Sequence, residues 1–276
     1  MFTLNCKGRL LRITQPVVMG ILNITPDSFY AGSRYEDSDA LLAQADRMLS
    51  EGATLLDIGG QSTRPGSRLL TEEEELARVL GPVAALHRRF PEAVLSIDTF
   101  YPRVATEAVA AGAAMVNDIS GGQDEAMLPA VAQLRVPYIC MHIKNELRQL
   151  HRRPHYDDVT KEVLDYFIAK TDACKKAGIQ DMIVDPGFGF DKNQPHNFRL
   201  LKDLPLFALL ERPLLAGLSR KSTVYKTLGI TAAEALNGTT VLNTLALQGG
   251  ARILRVHDVK EAMEAIKLYT AYASAG

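Results

Sequence analysis

Residues able to do chemistry recur at intervals along the chain, each where a short apolar run gives way to polar sequence. They are Asn23, Asp57, Asp98, Asn117, Asp185, Lys221 with Ser222, and Arg255 with His257. Asp98, Asn117 and Asp185 offer carboxylate and amide acceptors and one amide donor group, a set that suits a flat heterocycle carrying several N–H groups on one edge. Crowded carboxylates can also split their pKa values and serve as general acid and base, and any one of the three could simply cap a helix. Both alternatives stay open at this point.

Asn23, Arg64, Arg255 and His257 form an anion clamp on paper. A guanidinium forks onto phosphate oxygens or stacks on an aromatic ring, and an imidazole adds a donor able to carry charge near neutral pH. A lone Arg or His is more often a surface ion pair or a packed side chain. Arg255 and His257, however, alternate along one run and so point to the same side of a strand. Lys221 suits hydrogen-bond donation to a carbonyl or ring nitrogen, with a Schiff-base lysine as the rival reading. His142 fits packing and ligand contact equally well, whereas His87, His151, His155 and His196 fall on helical or loop segments. The paired glycines make tight turns, and no Walker A or G-x-G-x-x-G pattern is present.

These residues need elements to position them. Eight nearly continuous apolar runs, at 16–24, 54–59, 94–99, 114–119, 136–142, 182–186, 214–218 and 253–257, suit strands buried on both faces. Helical patterns alternate with them at 38–51, 71–90, 101–111, 125–133, 158–177, 197–210, 232–248 and 259–272, with Gly52, Gly112, Gly178 and Gly249 as stops. Strict alternation predicts an α/β fold, a single (β/α)8 TIM barrel over residues 1–276, with an open doubly wound sheet as the alternative. Residues 1–15 read as an N-terminal hairpin closing the barrel floor, and the connections after the first, second and fifth strands read as mobile loops. In such a barrel the C-terminal strand ends share one mouth, so the polar residues converge.

With 31 basic and 32 acidic residues the net charge is −1, which argues against nucleic acid or an anionic membrane as partner. Cys6, Cys140 and Cys174 are odd in number and outside any C-x-x-C pattern, so a disulfide framework is not indicated and a reducing compartment is expected. There is neither an apolar leader pattern nor a membrane-length apolar stretch, so a cytoplasmic setting is expected.

Five motifs in order, 20–29 (GILNITPDSF), 57–66 (DIGGQSTRPG), 185–190 (DPGFGF), 219–222 (SRKS) and 255–258 (RVHD), resemble the dihydropteroate synthases of the pterin-binding barrel family, over residues 19–269. The resemblance implies a transferase of folate biosynthesis that condenses 6-hydroxymethyl-7,8-dihydropterin diphosphate with p-aminobenzoate. It implies pterin contacts from Asp98, Asn117, Asp185, Lys221 and Arg255, diphosphate contacts from Asn23, Arg64, Arg255 and His257, and a p-aminobenzoate pocket of Thr63, Arg64, Pro65, Phe190, Lys221 and Ser222. It further implies Mg2+ beside Asn23, sulfonamide competition and a homodimer. The chain departs from the family pattern at Gln61, where Glu is usual, and in the loop after His142. A corrinoid-dependent methyltransferase on the same barrel lacks the Ser-x-Lys-Ser and Arg-Val-His sets, and intact polar residues at every strand end argue against a non-catalytic scaffold.

Overall fold

The computed structural model describes residues 1–24, 34–61, 68–147 and 155–275, with backbone alone for 34–38. The loops expected to be mobile after the first two strands, and much of the one after the fifth, lie outside these residues, as do Thr63, Arg64 and Pro65.

The first element is an antiparallel hairpin, β1 (Phe2–Cys6) with β2 (Arg9–Ile13), in the register Phe2↔Ile13. Its two-residue turn, Lys7-Gly8, has φ of 55° and 89°, the left-handed pair that matches the twist of the strands. Eight parallel strands follow: β3 (Val17–Asn23), β4 (Leu55–Gly59), β5 (Val94–Asp98), β6 (Met115–Asp118), β7 (Tyr138–Met141), β8 (Met182–Asp185), β9 (Leu215–Ala216) and β10 (Ile253–Val256). They lie in the order β8-β7-β6-β5-β4-β3-β10-β9, and a parallel bridge between Val184 and Leu214 brings the two ends together into a barrel.

Inside the barrel each of these strands gives one side chain to an apolar floor: Met19, Leu55, Val94, Met115, Ile139, Ile183, Leu215 and Ile253. Leu4, Cys6 and Ile13 of the hairpin pack into the same cluster, so the hairpin closes the floor as the sequence predicts. Strand alternation then fixes the mouth. Two or four residues beyond each floor position stands a side chain on the same inner face, and these include Asn23, Asp57, Asp98, Asn117, Asp185, Arg255 and His257.

The helices α1 (Arg34–Ser50), α2 (Glu72–Arg89), α3 (Pro102–Ala111), α4 (Met127–Leu134), α5 (Val159–Ala177), α6 (Gln194–Lys202), α7 (Ser222–Leu228), α8 (Leu236–Gln248) and α9 (Val259–Ala273) cover the outside. A large apolar layer of strand and helix residues lies between the two shells. Thr71 starts α2 through a reciprocal box, in which its hydroxyl accepts from the Glu74 N–H and its own N–H donates to Glu74 Oε2.

Three expectations need correction. The pattern at 197–210 is two elements, α6 and a 3-10 segment Leu204–Leu210, because Pro205 has no N–H with which to continue the α-helical ladder. Helix α7 was not expected, since its two turns between Lys221 and Gly229 are too short to show a period. Finally, Gly249 stays right-handed at φ −74°, and Gly250, at φ 97°, makes the left-handed stop.

Candidate functional site

At the centre of the mouth lies an ion pair with three members. Arg255, on β10, donates from Nε to Asp57 Oδ2 of β4 and from Nη2 to Asp98 Oδ2 at the end of β5, both at 2.6 Å. Asn117, on β6, donates from Nδ2 to the same Asp57 oxygen at 2.9 Å. Since a carboxylate only accepts, this bond orients the Asn117 amide and leaves its carbonyl oxygen for another donor. Asp57 is fully buried, and its Oδ1 has no partner among the described residues. Side chains of Arg255 and Asp98 keep 19% and 17% of their surface, enough for a ligand to touch them.

Electrostatics follow from this crowding. Burial disfavours the Arg255 charge, but Asp57 and Asp98 outweigh it and raise the guanidinium pKa, so the residue stays cationic. Burial pushes the Asp98 carboxyl up, while Arg255 pulls it back. Burial also raises Asp185, against the opposing pull of Lys221.

Lys221, the residue preceding α7, is pushed down to about 8 by burial, with Asp185 opposing and Arg255 assisting. Its Nζ donates to the Phe188 carbonyl at 2.5 Å and sits 4.6 Å from the centre of the Phe190 ring. Asp185 Oδ1 accepts from the Gly187 N–H at 2.8 Å, which ties the carboxylate to the turn after β8. Only glycine fits at 187: φ is 70°, and a Cβ would lie 2.1 Å from the His142 carbonyl oxygen.

On the β9–β10 side, Ser219 Oγ and His257 Nδ1 are 3.0 Å apart, and the hydroxyl also accepts from the His257 N–H. Desolvation by the surrounding mouth, followed by the Arg255 charge, lowers the imidazole to about 4, although the residue keeps contact with solvent. Asn23 is exposed at the end of β3, in register with Gly59.

The chain that builds this cup, in which each cation is set beside carboxylates, matches a known family. The family model described as pterin binding enzyme covers residues 19–257. Dihydropteroate synthase of Escherichia coli K12 is 41% identical over 98% of this chain and 96% of that protein. The chain belongs to the dihydropteroate synthase family. The Haemophilus influenzae dihydropteroate synthase is 38% identical across 99% of both chains. Among solved structures, the Xanthomonas albilineans dihydropteroate synthase with 4-aminobenzoic acid superposes with a TM-score of 0.92 at 42% identity, covering 99% of each chain. The Yersinia pestis dihydropteroate synthase in its sulfonamide drug complex gives 0.92 at 42% identity, over 99% of this chain and 100% of that one.

Within this synthase-family barrel, the structure brings Asp98, Asn117 and Arg255 into one bonded cluster and sets Asp185, Lys221 and Phe190 on the adjoining wall. Ser222 opens α7 beside Lys221. Asp57 was not among the residues singled out for a ligand, yet it joins the others. Its signal was available, since it is a charged residue inside the run Leu55–Gly59, all of it buried. His142 resolves to packing: it is buried, edge-on to Tyr166 at 4.8 Å, with burial holding its imidazole well below the usual range. Gln61 braces the stem of its loop, accepting from the Leu70 N–H at 3.0 Å through its amide oxygen, where a Glu would offer a carboxylate oxygen instead.

Proposed function

We propose that this chain joins 6-hydroxymethyl-7,8-dihydropterin diphosphate to p-aminobenzoate, releasing diphosphate and forming 7,8-dihydropteroate. The observation that carries this reading is the Asp57–Arg255–Asp98 cluster with its oriented Asn117, beside Asp185 and Lys221 in one barrel mouth.

Asp98, Asn117 and Asp185 accept from the N–H edge of the pterin, Lys221 donates to it, and Arg255 lies against the ring. The two carboxylates that grip Arg255 keep its charge and fix its plane, so the cation is in place before substrate binds. Asn23, Arg64, Arg255 and His257 receive the diphosphate, whose negative charge raises the His257 imidazole and draws a proton onto it. Thr63, Arg64, Pro65, Phe190, Lys221 and Ser222 line the p-aminobenzoate pocket. The bond from the pterin methylene carbon to the diphosphate oxygen breaks first, its electron pair leaving with the diphosphate while the electron-rich ring spreads the positive charge. The aniline lone pair then forms the C–N bond and the nitrogen gives up a proton to solvent. Aniline is already neutral at pH 7, so no strong base is needed.

Mg2+ fits beside Asn23, whose exposed amide supplies a hard oxygen donor. The described residues hold no group of three or more His, Cys, Asp or Glu able to cage a metal, so diphosphate oxygens and water would complete the shell. Bound there, the ion would neutralise charge on the leaving group.

A homodimer accompanies this reading. Phe198 of α6 and Val241 and Leu245 of α8 are exposed, and Phe198 and Leu245 border a groove of about 390 Å³ that a second copy would cover. The three thiols are buried and free, which supports a reducing cytoplasmic setting, and no described helix is long and apolar enough to cross a membrane.

Purified protein supplied with Mg2+, the pterin diphosphate and p-aminobenzoate is expected to release diphosphate and form dihydropteroate, with sulfonamides competing against p-aminobenzoate. Absence of turnover by folded protein with intact substrates overturns the reading.

A further inference from the structure

Lys192 carries no part of the mechanism above, yet it is the most fully enclosed amine near the site. It lies in the connection between β8 and α6 and is 8% exposed. Its Nζ meets four acceptors: His142 Nδ1 at 2.9 Å, the Gly187 and Phe190 carbonyls at 3.1 Å each, and the His142 carbonyl at 3.3 Å. Two of these belong to His142, the residue that follows β7. The other two are the first and last residues of the turn Gly187–Phe190, which the Phe190 N–H also closes onto the Gly187 carbonyl.

That turn is the seat of Lys221. Phe188 supplies the carbonyl that Lys221 Nζ bonds, and Phe190 supplies the ring beneath it. The turn is hard to hold by backbone preference alone, because Gly187, Gly189 and Asp191 take φ of 70°, 81° and 46° in quick succession. Asn197 helps by accepting from the Gly189 N–H and donating to the Lys192 carbonyl, and Asp191 Oδ2 accepts from the Asn145 N–H, while Lys192 bonds the turn itself to His142.

We infer that Lys192 is a positioning residue for the p-aminobenzoate side of the site: from behind, it clamps the Gly187–Phe190 turn to His142 and so fixes the carbonyl and ring on which Lys221 rests. The inference depends on the synthase reading for its choice of substrate. An ammonium suits the place because all four neighbours present lone pairs, which a three-proton donor can share and an amide or hydroxyl cannot satisfy as fully. Burial lowers the amine to about 7, and Asp185 and Asp191 keep it from falling further.

The test uses the full chain with Lys192→Met and Lys192→Gln. Kinetics with both substrates are expected to show the KM for p-aminobenzoate rising about tenfold or more in Lys192→Met, with the KM for pterin diphosphate within about twofold of wild type. Lys192→Gln, which keeps two amide protons, is expected to fall between. Hydrogen exchange, measured without substrate, is expected to quicken in the peptide spanning Gly187–Phe190 while β5 and β6 stay protected. An unchanged KM for p-aminobenzoate in either folded variant overturns the inference. So does a proportional rise of both KM values with faster exchange throughout the barrel, the mark of general support to the fold. If wild type itself fails to turn over, the synthase reading falls, and the exchange measurement still decides whether the clamp exists.

Discussion

Arg255 illustrates how one side chain in a barrel mouth can depend on residues far away in sequence. Its two carboxylate partners stand 198 and 157 positions earlier, and the same Asp57 oxygen also orients Asn117. Replacing Asp57 by Asn would leave Arg255 with one carboxylate and turn an N–H toward Asn117. Breaking a buried pair typically costs 3–5 kcal/mol, and because Arg255 keeps some contact with water we expect about 3 kcal/mol in urea unfolding of Asp57→Asn. Affinity for the pterin diphosphate is expected to fall as well, since the guanidinium plane is no longer fixed; calorimetric titration would show it. Unchanged values for both would mean that Asp57 merely fills space. Asp98, Asn117, Asp185 and Arg255 were legible as site residues because each ends a strand-like run. Asp57 was legible as a strand-end charge but not as a partner of Arg255, and Lys192 gave no sign at all, because its four acceptors come from backbone and a histidine that meet it in space.

At the scale of elements, local chemistry sets the boundaries that sequence can read. The acids of the first turn of α2 and the Thr71–Glu74 box start that helix at a definite residue. Thr71→Ala is therefore expected to lower stability by about 1 kcal/mol without touching the mouth. Thermal unfolding with a parallel assay checks this, and a loss of activity at unchanged stability would contradict it. Gly112 and Gly178, at φ 128° and 94°, stop α3 and α5 as the sequence indicates. The splitting of 197–210 at Pro205 was also written locally, in a residue that the apolar period alone passes over.

Across the whole molecule, buried acids couple stability to pH. Glu75, fully buried on α2, is raised to about 8, chiefly by burial, with Thr99 opposing. A group whose folded pKa exceeds its unfolded value of 4.5 holds a proton that the unfolded chain has lost between those limits. Its contribution is thus complete below 4.5 and disappears as pH climbs to 8. His257, lowered to about 4, has the opposite sign: what it contributes is present above 6.5 and fades as pH falls toward 4. Denaturant unfolding is expected to show stability decreasing from pH 5 to pH 8 and Glu75→Gln lessening that decrease; an equal slope in the variant would refute the assignment. For the homodimer, Val241→Glu and Leu245→Glu are expected to shift the sedimenting species to a monomer, and a wild-type monomer at all concentrations would remove the proposal. The alternation of buried runs with helices, the polar residue at each strand end and the hairpin followed from the sequence, because burial on both faces and the period of two are properties of local segments. Tertiary structure alone decided that Asp57 joins Asp98 through Arg255, that His142 is packed, and that Lys192 reaches four acceptors, because those partners become neighbours only when the strands close around a common axis.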